Sequence, residues 1–167
     1  MAGAPVTAHA QMIRSTQQYA LVDGDWYETA RFFEGGRYPV TGEVALFDSS
    51  TGERFVVPAA EIERIESVTS EARYRGYWFE IGSLWSTPNR PSFAEKDRGR
   101  IRGAVPSGAP GVFAAMIYRG SDGAAVAALP GIEPGNEWPP SDRRPTATVP
   151  VSELESYRES VHPLSPR

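Results

Sequence analysis

Two short segments recur in the same order along this chain. Trp26-Tyr27-Glu28 returns as Trp78-Phe79-Glu80 at an offset of 52, and Val57-Pro58-Ala59-Ala60-Glu61-Ile62-Glu63 returns as Val149-Pro150-Val151-Ser152-Glu153-Leu154-Glu155 at an offset of 92. Each half reads as an aromatic strand, a hairpin, a strand and an acidic helix opened by proline. The difference of 40 between the offsets is an insertion in the second half. It falls where glycine and proline crowd, since 17 of the 31 lie within residues 86–145. Repeats of one supersecondary unit share a core that neither could bury alone. The predicted fold class is therefore α+β and β-rich, with two related strand-hairpin-helix units packed as one body. The second unit carries the long Gly/Pro-rich insertion. Chance recurrence is the alternative, because short strand-turn-strand-helix patterns are common.

The local pattern supplies the elements. Tyr19-Ala20-Leu21-Val22 and Trp26 to Phe33 are rich in β-preferring side chains and flank Asp23-Gly24-Asp25, a hairpin turn signal. Val44 to Phe47 and Arg54 to Val57 flank a longer loop at 48–53. Pro58 suits the first turn of a helix, and Ile62, Ile65 and Val68 at three-residue steps predict that helix over 59–68. The aromatic run 72–81 predicts a long strand or a strand pair. Val112 to Tyr118 and Ala124 to Leu129 predict another hairpin across Gly120-Ser121-Asp122-Gly123. Thr146 to Val149 is a short strand, and residues 150–161 repeat the helix pattern. The expected organisation is a poorly ordered tail at 1–12, a first unit at 13–70, a second unit at 71–162 with an irregular insertion at 86–145, and a frayed tail at 163–167. Met12 reads as a second possible translation start.

Composition narrows the chemistry. Cysteine is absent, which excludes disulfides, thiol nucleophiles and zinc sites that use sulfur. The two histidines, His9 and His162, lie near the termini, so a histidine-centred triad or multi-histidine metal site is not expected. The 17 basic and 21 acidic residues give a net charge of −4, which is not the footprint of a nucleic-acid binder. No apolar run reaches the length of a membrane span, and residues 1–10 lack the basic and apolar regions of a signal peptide. A cytoplasmic protein without cofactor or metal is the expectation.

Candidate reactive groups mostly read as structure. Glu61, Glu63 and Glu66, like Glu153, Glu155 and Glu159, spread along predicted solvated helix faces and do not face each other across a substrate. Asp23-Gly24-Asp25 is too short for a calcium loop. Gly120-Ser121-Asp122-Gly123 lacks the nucleophile-elbow pattern of a hydrolase. The densest basic run, Lys96 to Arg102, reads as a charged loop, with contact to phosphate or an acidic partner as the alternative. Trp26 and Trp78 read as core. Trp138, in a proline-rich segment, reads either as a lid or as an aromatic anchor for a partner.

Gln18 to Glu28, the Val57-Pro58-x-x-Glu61-Ile62 helix start and Arg73-Tyr74-Arg75-Gly76-Tyr77-Trp78-Phe79 resemble small actinobacterial immunity proteins. Those accompany secreted polymorphic toxins, including the NAD-degrading necrotising type. The resemblance implies a non-enzymatic, monomeric inhibitor that binds its cognate toxin and blocks the active site inside the producing cell. Arg98, Arg100, Arg102, Glu137 and Trp138 are then the partner-binding residues. Two other readings stay open. The aromatic strand Tyr74-Tyr77-Trp78-Phe79 could line a small-molecule pocket, with Arg73 or Arg75 meeting an anion. An exposed strand edge could instead pair with itself in a homodimer.

Overall fold

The computed structural model describes residues 11–88, 98–135 and 143–167. The fold begins with two tight hairpins. β2 (Gln17–Val22) and β3 (Asp25–Glu28) meet across Asp23-Gly24, while β7 (Arg64–Tyr74) and β8 (Tyr77–Trp85) meet across Arg75-Gly76. A two-residue turn of type I′, which matches strand twist, needs positive φ at both central positions. Here those φ values are 50° and 80° in the first turn and 50° and 84° in the second.

The main sheet runs β12 (Thr146–Pro150), β11 (Phe113–Ile117), β8, β7, β2, β3. β13 (Ser156–Pro163) and β9 (Arg100–Ile101) join it on β7 and β8. β5 (Glu43–Phe47) and β6 (Arg54–Pro58) form a separate hairpin. Two small pairs complete the strands: β1 (Met12–Ile13) with β10 (Val105–Pro106), and β4 (Arg37–Tyr38) with β14 (Ser165–Pro166). One short helix, α1 (Gly123–Ala127), is present among the described residues.

β7 organises all of this. Its first half pairs β2 from Arg64 to Val68, and its last four residues pair β8. β13 runs unbroken along the other edge, from Arg73↔Ser156 to Glu66↔Pro163. Side chains alternate faces along a strand, and the buried face changes midway. Ile65 joins Ala20, Val22, Tyr38, Val44, Leu46, Ile62 and Leu164 in one core. Ala72 and Tyr74, of opposite parity, join Phe79, Ile81, Leu84, Met116, Val126, Val149 and Tyr157 in the other. The two cores thus lie on opposite faces of one strand.

The β-rich character expected from the sequence holds, but several elements differ. Residues 59–68 are not a helix. A single 3₁₀ turn at Ala59–Glu61 follows Pro58, Ile62 is already extended, and β7 starts at Arg64. The three-residue spacing that mimicked a helix divides between two faces, with Ile65 in one core and Val68 turned to the other side. Residues 150–161 behave alike, with a 3₁₀ turn at Val151–Glu153 leading into β13. Residues 124–129 are helix α1 and turn rather than strand, in keeping with the helix preference of alanine. The described residues of the 86–145 stretch contribute β9, β10, β11 and α1. Trp26 and Trp78 are half-buried on outer sheet surfaces instead of in the cores.

The tail expected to fray from residue 163 is docked. Leu164 is 7% exposed, its N–H donates to the Ile65 carbonyl at 2.8 Å, and Ser165 and Pro166 pair with Arg37 and Tyr38. Met12, placed in the tail 1–12, is paired in β1; residues 1–10 lie outside the described residues. Leu164→Ala is expected to cost about 2–3 kcal/mol of unfolding free energy, read by urea denaturation. A frayed tail would leave the midpoint unchanged.

Candidate functional site: two grooves on the sheet

The basic run turns inward. β9 pairs β8 through Leu84↔Ile101 and Trp85↔Arg100, so residues 100–104 run along the sheet as a strap. Arg102 is 8% exposed, with its guanidinium 3.9 Å over the Phe47 ring and Nη1 3.4 Å from Glu28 Oε1. Arg100 Nη2 lies 3.5 Å from the same oxygen, and Gln17 Nε2 donates to it at 3.1 Å. Glu28 itself is 1% exposed. Gly103 lets the strap pass, because a Cβ there would lie 2.8 Å from Ser49 Cβ. A buried carboxylate is tolerable only when paired and hydrogen-bonded, and here the strap supplies both cations.

Of the predicted partner-binding residues, Arg98 is exposed at the stem of its loop and Arg100 is half-buried. Arg102 is packed inside, under the strap. Glu137 and Trp138 lie outside the described residues. The stems of both segments are hydrogen-bonded: Ser86 N–H donates to Gly99 O at 2.7 Å, and Glu133 and Thr146 exchange bonds of 2.8 and 2.7 Å. Phe113 pairs Trp85 and Ile117 pairs Thr146, so the stems stand at opposite ends of β11, about 13 Å apart along the strand.

A groove of about 470 Å³ lies beside the strap, lined by Met12, Arg14, Tyr19, Trp26, Ser49 and Glu159 among others. Its polar side is locked. Arg14 donates from Nε at 3.1 Å and from Nη2 at 2.9 Å to the Glu159 carboxylate and lies 4.5 Å from the Tyr19 ring centre. The Tyr157 hydroxyl donates to Glu159 Oε1 at 2.7 Å and receives the Arg14 backbone N–H at 3.2 Å. Burial works to raise the Glu159 carboxyl, but the bonds from Arg14 and Tyr157 and the charge of Arg14 outweigh it and hold the group below its ordinary value. Burial, then the bond to Glu159, pushes Tyr157 up to about 12. Burial likewise raises Tyr19.

A second groove, of about 460 Å³, is lined by Glu71, Tyr77, Trp78, Glu80, Tyr118, Arg119 and Arg158, with Thr69, Gly76 and Gly120. Tyr77 and Tyr118 meet edge to face with centres 6.0 Å apart. Arg158 lies 3.9 Å over Trp78 and donates from Nε to Glu71 at 3.0 Å, while Arg119 Nε donates to Glu80. The arginines suggested for this strand do not line the groove, although Arg73 is opposite Trp78 in the ladder. Arg73 pairs Glu155 at 3.7 Å, and Arg75 donates to the Tyr74 hydroxyl at 3.0 Å.

Arginine on an aromatic face is a recurring contact here, with Arg64 over Trp26 as a further case at 5.3 Å. The composition suits it, since Lys96 is the one lysine among 17 basic residues and the planar guanidinium stacks where an ammonium does not. Glu28, Arg14, Tyr157 and Glu159 were not singled out as a site from sequence, because the pairs they form span 74 and 145 residues. Among the described residues no group of three or more histidine, aspartate or glutamate side chains is arranged to hold a metal ion. Among the described residues no helix is long and apolar enough to cross a membrane. No protein-family model, curated protein or solved structure matches the chain.

Removing one partner of a buried charge cluster strands the others. Glu28→Gln is expected to cost about 3 kcal/mol or more of stability, measured by chemical denaturation. The pH dependence has two arms. Glu159 sits below its ordinary value, so its contribution is present above that value and is lost as pH falls through the lowered one. Tyr157 sits above its ordinary value of 10.0, so its contribution is complete below that and is lost as pH rises toward about 12. Ultraviolet titration of the wild type against Tyr157→Phe should remove one phenol that ionises near 12.

Proposed function

We propose that this protein acts by binding another protein and covering its working surface, as the immunity proteins it resembles do. The observation that carries the reading is the second groove, where Trp78 lies beside two exposed arginines on a sheet backed by a packed core. Tryptophan and arginine dominate the energetics of protein interfaces. The hydrogen-bonded stem at Glu133 and Thr146 stands next to this groove, since Ile117 pairs both Thr146 and Glu80. In this proposal Arg98, Glu137 and Trp138 remain contact residues, Trp78, Arg119 and Arg158 join them, and Arg100 and Arg102 hold the strap. Action without catalysis, as a monomer inside the producing cell and against a toxin enzyme, belongs to the same proposal.

The proposed scaffold is two related units sharing β7, the second with an insertion. Backbone register supports it. The bond from Glu63 N–H to Leu21 O recurs as Glu155 N–H to Arg73 O, both at the offsets of the sequence echo. Glu43↔Pro58 recurs as Phe113↔Pro150, and the Thr29↔Leu46 bridge recurs as Ile81↔Met116. In these terms Ser49, beside the first groove, corresponds to Arg119 beside the second. Glu28 therefore draws its cations from the strap, while Glu80 has a local one.

A second reading, a small-molecule site in the same groove, is favoured by the concavity itself, which joins an aromatic floor to arginines. The test begins with affinity capture from the producing cells. The recovered protein is then assayed alone and with the purified chain. Stoichiometric loss of its activity on mixing is the expected result, with Trp78→Ala weakening binding about 30-fold, the equivalent of ~2 kcal/mol at an interface anchor. A partner whose activity is untouched by excess chain overturns the inhibitor reading. A co-purifying small molecule that Trp78→Ala abolishes supports the second.

A further inference from the structure

We infer that the second groove receives an acidic segment of the partner protein, with a carboxylate on the Arg119 and Arg158 guanidiniums and an apolar neighbour against Trp78 and Tyr77. This rests on the protein-binding reading above and gives it a chemistry.

The two grooves differ in what their arginines have left to offer. In the first, Arg14 gives both Nε and Nη2 to Glu159, and the strap fills the space over Glu28 with Arg102 and Arg100. These donors are engaged within the chain. In the second, each arginine is tethered through Nε alone, Arg158 to Glu71 and Arg119 to Glu80. The terminal amino groups of both make no hydrogen bond among the described residues.

The layering of charge favours an anion. The arginine side chains are the outer layer, 56% exposed at Arg119 and 53% at Arg158, whereas Glu80 and Glu71 beneath them are 17% and 30% exposed. An approaching group meets guanidiniums first. Tethering by Nε holds each planar fork in position, so less freedom is lost when a carboxylate takes the two outer donors. The carboxylates below keep each guanidinium charge partly balanced, which limits the attraction for a free small ion. A segment that also buries apolar surface on Trp78 and Tyr77 gains what a bare ion cannot.

The test uses the full chain and calorimetry, with three probes: a short peptide of three glutamates and one phenylalanine, the same peptide with glutamines, and inorganic phosphate. The acidic peptide is expected to bind, to weaken as salt rises, and to lose about tenfold or more in affinity in the R119Q/R158Q double variant. Arg54→Gln, an exposed arginine on β6 away from the groove, should bind as the wild type does. R158K, which keeps charge but loses the fork, should fall between. Three outcomes overturn the inference: equal binding of the glutamine peptide, equal binding by the double variant, or phosphate binding as tightly with the same arginine dependence. The double variant also separates this inference from its premise. If it inhibits the captured partner as well as the wild type does, the acidic-segment inference falls and the protein-binding reading stands. If the wild type itself does not inhibit, the premise falls whatever the peptides do.

Discussion

The two-sided burial of β7 is the constraint on which the rest of the fold depends. One extended segment supplies Ile65 to one core and Ala72 and Tyr74 to the other, while pairing with three strands. A strand covered on one face in its first half and on the opposite face in its second must satisfy its buried ladder bonds within the sheet. That demand brings β2 and β8 end to end along one edge and sends β13 down the other. The docked residues 164–167 follow from the same geometry. β13 overshoots the second hairpin, reaches the first core and delivers Leu164 there.

The first hairpin was legible because its turn obeys a local rule: Asp23-Gly24 needs no distant residue to favour positive φ. At Arg75-Gly76 the sequence left a long strand and a strand pair both open, because arginine is not such a signal. The echo of Trp-x-Glu was legible for a similar reason, since each copy is a strand residue pattern beside such a turn. The proline-started segments were misread because Ile62, Ile65 and Val68 carry a helical spacing that two opposite cores explain equally well. Periodicity counts apolar positions but does not say which neighbour each one meets, and long-range pairing overrode it. The alanine run at 124–128 was the reverse case, in which intrinsic preference for helix outweighed a hairpin-like turn.

The site was less legible than the fold. Arg100 and Arg102 looked like an exposed charged loop because their counter-charge, Glu28, belongs to the first hairpin. Nothing near residue 102 announces that a carboxylate waits under the strap. The groove around Trp78 was half-visible. Its aromatics were apparent in the strand 74–79, but its arginines arrive from residues 119 and 158 instead of from the adjacent Arg73 and Arg75. Charge in this protein is assigned by topology, and near neighbours in sequence point to different places.

The near-exclusive use of arginine has a consequence for how the molecule responds to acid and base. A planar guanidinium is the cation that is always charged where proteins work, and aromatic rings at Tyr19, Trp26, Phe47, Tyr74 and Trp78 each carry one. The positive half of the electrostatic pattern is therefore nearly invariant, and almost all titration falls to the carboxylates. Acidification does not rearrange the charge of the surface so much as unmask a cationic lattice that was present throughout.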